Sequence, residues 1–167
     1  MMDVRALMTA DPDACLPSDN CATVGAIMRR RQCGFVPVVD SHKTQRLVGV
    51  VTDRDVALHL TRTDRPASQE RAEACMTKQV EFISPSAGIE DAVRIMETSA
   101  IHRLPVVEDG RVIGVLSLRD LALAARDEWA VSGPHRLERK LLDAAEAIAT
   151  VQGPRRGACG CEDKTTA

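Results

Sequence analysis

Two short segments carry the residue types from which a site for a phosphorylated, hydroxyl-bearing ligand can be built: Gly49-Val50-Val51-Thr52-Asp53-Arg54-Asp55 and Gly114-Val115-Leu116-Ser117-Leu118-Arg119-Asp120. Each sets a glycine, a hydroxyl, a cation and a carboxylate in the same order and at the same spacing. Glycine lets a ligand or a neighbouring backbone come close. A hydroxyl where an apolar strand gives way to a helix lies beside free N–H groups and the positive end of the helix dipole, which favour an anion. An aspartate one turn further on can accept both hydroxyls of a ribose, through charge-assisted bonds worth about 1.5 to 3 kcal/mol each when sheltered. Arg54 and Arg119 add a cation beside each carboxylate that can reach a phosphate. The same spacing of Thr or Ser and Asp also spells a helix capping box, which needs no ligand; that box prefers Glu or Gln at its third position, where the shorter Asp fits less well.

The elements that must position these segments are themselves duplicated. Met8-Thr9 returns as Met76-Thr77, Leu16-Pro17 as Ser84-Pro85, Ile27-Met28 as Ile95-Met96, and Val36-Pro37-Val38-Val39 as Leu104-Pro105-Val106-Val107, all at an offset of 68. The glycine-led segments repeat at an offset of 65 instead, so three residues are missing between the second pair of strands. There the polar connection Asp40 to Gln45 is replaced by Glu108-Asp109-Gly110-Arg111, whose Asp-Gly signals a tight hairpin. Each copy reads as a short segment carrying Met-Thr, an amphipathic helix, a hairpin and a second helix. The helices are marked by Val24, Ile27 and Met28 and by Ile89, Ala92, Val93 and Met96. The hairpins join Phe35–Val39 to Leu47–Val51 and Leu104–Val107 to Val112–Leu116, and the second helices run over Asp53–Leu60 and Leu118–Ala125.

The predicted fold class is therefore α/β (α+β), with two β-α-β-β-α motifs over residues 1–61 and 75–127 joined by a charged connection over 62–74. Neither copy buries its sheet face alone at this size, so the two are expected to pack together. Pro134 opens a predicted C-terminal helix over 134–150, with Leu137, Leu141, Ala144, Ala145 and Ile148 at helical spacing. Residues 153–167 read as a flexible tail whose Cys159 and Cys161 make only half of a closed zinc site, so an incidental tail is expected ahead of a soft-metal site or an oxidation switch.

Composition removes several classes of function. Aromatic residues make up only 2% of the chain and the formal net charge is -2, so neither stacking platforms nor a phosphate-neutralising surface for nucleic acid is expected. No apolar run is long enough to span a membrane and no export signal opens the chain, so a cytoplasmic location is expected and Cys15, Cys21, Cys33 and Cys75 read as reduced thiols. No Ser/His/acid or Cys/His arrangement, Walker motif or dinucleotide glycine pattern marks an enzyme. Arg29-Arg30-Arg31 reads as a solvated charge run at a helix end.

The doubled Met-Thr segment, the strand of a hydrophobic residue followed by Pro-Val-Val, and the Gly-x-x-Thr/Ser-x-x-Asp segment resemble the cystathionine-β-synthase (CBS) domain family in its tandem form, the Bateman module, over about Val4 to Arg126. The resemblance implies a pseudo-two-fold pair of motifs with two clefts that bind AMP, ADP, ATP or a related adenosyl ligand and report it to an effector protein in trans. It assigns phosphate and ribose contacts to Thr52, Asp55, Ser117 and Asp120, and points further to Thr9, Ala14, Thr77, Glu81 and Arg103 around adenine and phosphate. It also implies a homodimer. The second copy has His102-Arg103-Leu104 before its proline where the first has Gly34-Phe35-Val36, so a phosphate is expected to be held better on one side, with Arg103 as its ligand. Two other readings stay open: a structural dimerisation module with empty clefts, and a metal or redox sensor drawing on residues such as Cys33, His42, His59 and His102.

Overall fold

The computed structural model describes residues 3–132, 141–143 and 145–146. Asp3 caps a single helical turn, α1 (Val4–Leu7), which runs into the short strand β1 (Thr9–Ala10). Helix α2 (Cys21–Arg31) starts at Asn20, whose side chain accepts from the Thr23 N–H, and is followed by the hairpin of β2 (Phe35–Val39) and β3 (Leu47–Thr52) and by α3 (Asp53–Thr63). The second copy repeats this order with α4 (Ala72–Cys75), α5 (Ile89–Ser99), β4 (Arg103–Glu108), β5 (Arg111–Ser117) and α6 (Leu118–Ser132). The expected hairpins and first helices form at the expected places, whereas α3 and α6 run on past Leu60 and Ala125.

The two copies exchange their leading segments. Strand β1 pairs antiparallel with β5 of the other motif, Thr9 opposite Val115 and Ala10 opposite Gly114, to give the sheet order β1-β5-β4. In the mirror arrangement Thr77 follows α4 and exchanges both backbone hydrogen bonds with Val50 of β3, at 2.9 and 3.0 Å. The helical turns swap as well: Val4 donates to the Ala87 carbonyl and Arg5 to that of Pro85, while Ala72 donates to Asp19 and Glu73 to Pro17. Val4 is thus buried in the second motif's core beside Met96, Leu104 and Leu116, and Ala72 in the first motif's core beside Val24, Val36 and Val51. This burial explains why a helix begins at Ala72, inside the stretch read from sequence as a connection. Arg46 and Arg111, equivalent positions in the two hairpins, bridge one another and mark where the pseudo-two-fold axis passes.

Local backbone chemistry is duplicated too. Helices α2 and α5 end at Gln32 and Ala100, both left-handed at φ 51°, whose N–H groups reach two carbonyls of the last turn. The second hairpin closes on Asp109 and Gly110, both at positive φ, as its Asp-Gly predicts. In the first hairpin Asp40 organises the longer loop by accepting from the Ser41 and Arg46 N–H groups and the Thr44 hydroxyl.

One polar pair belongs to the first motif alone. His59 of α3 and Glu70 of the connection are both buried, and Nε2 of His59 lies 2.5 Å from Oε2 of Glu70. Arg62 can only donate to Nδ1, at 3.5 Å, so Nε2 carries the proton toward Glu70. The pair clasps the connection onto α3. Of the expected C-terminal helix, residues 141–143 and 145–146 are helical and Leu141 is buried against the second core. Pro134, Leu137, Ala144 and Ile148, and the tail cysteines Cys159 and Cys161, lie outside the described residues.

Candidate functional site

Strand β5 passes directly into α6 at Ser117, and the first N–H of the helix, that of Leu118, donates to the His102 carbonyl at 2.9 Å. The Ser117 hydroxyl accepts from the Asp120 N–H at 3.2 Å and donates to Oδ2 of Asp120 at 2.6 Å; the same Oδ2 accepts from the Ser117 N–H at 2.8 Å. The first motif repeats this at Thr52 and Asp55, with distances of 3.2, 2.6 and 2.9 Å. Both capping boxes therefore form despite the shorter Asp. In each, Oδ2 is taken up locally, and Oδ1 makes no hydrogen bond among the described residues.

Ser117 and Asp120 open into a cleft of about 860 Å³ between the motifs. Thr9 enters it on the exchanged strand, Arg103 stands on β4 directly across from Ser117, and Arg119 lies at its exposed rim. Ile27, Phe35, Val115 and Leu118 supply an apolar wall, and His102 and Cys33 also face the space. Five of the residues named from sequence, Thr9, Arg103, Ser117, Arg119 and Asp120, thus line one cavity.

The others lie elsewhere. Ala14 lines a separate cavity of about 230 Å³ with Asp11, Asp13, Val39, Gln45 and Val112, because the chain turns away after Asp13 to pair Cys15 with Val38. Thr52, Arg54 and Asp55 occupy the equivalent place at the head of α3; Thr77 pairs with Val50 there, and Glu81 is exposed. The two heads differ in chemistry. Asp53 stands where the second motif has Leu118, and its carboxylate packs over Gly34, at the position that His102 fills in the other copy.

Sequence reasoning missed Asp13 and Arg31. Asp13 accepts from Arg31 at 2.7 Å and from Arg30 at 2.5 Å, so part of the arginine run read as solvated is paired at the mouth of the cleft. These two guanidinium groups, Arg31 first, hold the Asp13 carboxyl well below the usual carboxylate range. No spacing rule connects the residues, which meet only through the fold. The glycines of the two segments also acquire a definite role. A Cβ at Gly49 would lie 2.9 Å from the Thr77 carbonyl and 3.0 Å from the Met76 sulfur, and one at Gly114 would lie 3.2 Å from the Thr9 carbonyl. What comes close to them is the exchanged Met-Thr segment of the other motif.

The metal reading draws no support from the geometry. Among the described residues no three His, Cys, Asp or Glu side chains gather in a way that could hold a metal ion. His59 is engaged with Glu70, and His42 is exposed on the first hairpin loop. No helix among the described residues is long and apolar enough to cross a membrane.

Comparison with known proteins gives the same architecture. The family model described as "CBS domain" matches residues 4–62 and again 72–127. The uncharacterised protein YlbB of Bacillus subtilis (strain 168) is 32% identical over 124 residues, covering 74% of this chain and 82% of YlbB. Among solved structures, CBSX2 in complex with AMP is 25% identical with a TM-score of 0.65, covering 76% of this chain and 98% of that one. The CBS domain pair of protein MJ0100, in complex with 5'-methylthioadenosine and S-adenosyl-L-methionine, shares the fold at 22% identity and a TM-score of 0.66, over 74% of this chain and 98% of that one. With the same motif matched in both halves, and both halves folded about one axis, the chain belongs to the CBS domain family as a tandem pair.

Proposed function

We propose that the chain is a non-catalytic regulatory module that binds an adenine nucleotide, AMP, ADP or ATP, or a related adenosyl ligand, and signals to an effector protein in trans. The observation that carries this reading is the Oδ1 atom of Asp120, without a protein partner among the described residues, at the head of a helix in an 860 Å³ cleft that also holds Arg103. In this reading Asp120 accepts the ribose hydroxyls and the Ser117 hydroxyl turns its proton from Asp120 to the phosphate, which Arg103 and Arg119 also hold. Ile27, Phe35, Val115 and Leu118 cover the base, and Thr9 contributes from the exchanged strand. Thr52, Arg54 and Asp55, with Thr77, form the equivalent position in the first motif. The adenosyl ligands of CBSX2 and MJ0100 support the ligand class. A homodimer fits the exposed Leu58 and Leu123, equivalent residues of α3 and α6.

Signalling requires that the ligand favour one arrangement of the motifs over another, since affinity alone shifts nothing. Calorimetric titration of the protein with AMP, ADP and ATP tests the reading. Micromolar binding of at least one, about -8 kcal/mol, is expected. Absence of heat with all three in folded protein would leave Ser117 and Asp120 as helix caps and the chain as a structural module.

A further inference from the structure

We propose that Cys21 and Cys75 are a thiol-modification site that closes reversibly into a disulfide, tying the first turn of α2 to the end of α4. Their Sγ atoms lie 3.8 Å apart in the reduced protein. A bond of about 2.05 Å therefore needs the two sulfurs to approach by about 1.8 Å. Cys21 is buried, while Cys75 is partly open to solvent and gives an oxidant its access.

The internal repeat shows that packing does not demand thiols here. At the same offset of 68, the counterparts of Cys21 and Cys75 are Ile89 and Leu7, and these two sit in the apolar core region of the second motif. One half of the molecule holds aliphatic side chains at these positions, and the other sets two sulfurs face to face. Burial, reinforced by Cys21, Asp55 and Cys15, pushes the Cys75 thiol up to about 12, and burial likewise raises Cys21. The pair consequently rests as a dithiol and reacts slowly at neutral pH. Once formed, the disulfide carries no charge and suits the same apolar surroundings.

The oxidant class is a hydroperoxide. The Cys75 thiolate attacks the O–O bond, forming a sulfenic acid and releasing water or the alcohol. Cys21 sulfur then attacks the Cys75 sulfur, the S–S bond forms, and the hydroxyl leaves as water with the Cys21 proton. Two thiols give up two electrons and two protons, and the peroxide takes both. The bond would staple the leading segment of the second motif to the first motif beside Asp55, and it rests on sulfur geometry alone, independent of nucleotide binding.

The test treats the full chain with hydrogen peroxide, caps remaining thiols with N-ethylmaleimide in denaturant, and maps the linked peptides by mass spectrometry. The expected result is a Cys21–Cys75 linkage that dominates those among Cys15, Cys21, Cys33 and Cys75 and is reversed by dithiothreitol. The double variant Cys21→Ile/Cys75→Leu, which installs the repeat's own apolar pair, is expected to fold with an unchanged circular dichroism spectrum and to show no such linkage. Recovery of both cysteines as capped thiols, or of Cys75 as a sulfinic acid beside free Cys21, would overturn the proposal.

Discussion

Thr9 of the first motif lies opposite Val115 of the second, and the same contact recurs with Thr77 opposite Val50. The leading segment of each motif therefore pairs with the other's hairpin, and the cleft depends on both halves being present. The glycines beneath these crossings are steric requirements. Gly49→Ala sets a methyl against the Thr77 carbonyl, a backbone atom that cannot swing away. A loss of about 1 to 3 kcal/mol is expected in urea unfolding. An unchanged midpoint would mean that the exchanged strand does not cross there.

Ala100 ends α5 in the left-handed region at φ 51°, where an L-residue with a Cβ is strained by about 1 to 2 kcal/mol. Glycine relieves that strain but gains freedom in the unfolded chain, which takes back about 0.4 to 1 kcal/mol. Ala100→Gly is therefore expected to stabilise the protein modestly, with a higher thermal midpoint. Destabilisation would show that the cap differs from the one described.

Stability should fall in acid. Glu70 is held below the usual carboxylate range, chiefly by its hydrogen bond to His59, and Asp40 is likewise lowered, chiefly by Thr44. Asp13 is lowered by Arg31 and Arg30. A carboxylate with a depressed folded pKa contributes stability above its unfolded value, about 4, and loses it as pH falls through the folded value. Thermal midpoints measured from pH 7 down to pH 3 should decline. Glu70→Gln should lower the midpoint at pH 7 and flatten that decline; a decline of the same depth would assign the acid lability to other groups.

Much of this was legible in the sequence because it depends on local chemistry. The offset of 68 marks the repeat, alternation and turn residues mark the hairpins, and Asp109-Gly110 fixes a two-residue turn. The strand exchange was not legible, since spacing alone cannot say which copy's sheet receives Thr9 or Thr77. The pairings of Asp13 with Arg31 and of His59 with Glu70 join segments that no helix or strand spacing relates and that meet only in the folded chain. Ala14, to which the family resemblance points together with Thr9, lines a neighbouring cavity, because the chain leaves the larger cleft after Asp13.

Capping and ligand binding can be separated by treating the motifs as controls for one another. Thr52→Ala and Ser117→Ala each remove a hydroxyl that accepts a helix N–H, and each is expected to cost about 1 kcal/mol of stability. Only Ser117→Ala should also weaken nucleotide binding in the cleft that holds Arg103. Equal effects of both variants on affinity would contradict the assignment of that cleft as the stronger one.

The most direct test of ribose binding at α6 is an AMP titration of Asp120→Ala beside Asp55→Ala, both checked for folding. At least a tenfold loss of affinity, about 1.4 kcal/mol, is expected in Asp120→Ala from the ribose contact proposed for its Oδ1. Wild-type affinity in Asp120→Ala would contradict it and leave that carboxylate as a helix cap.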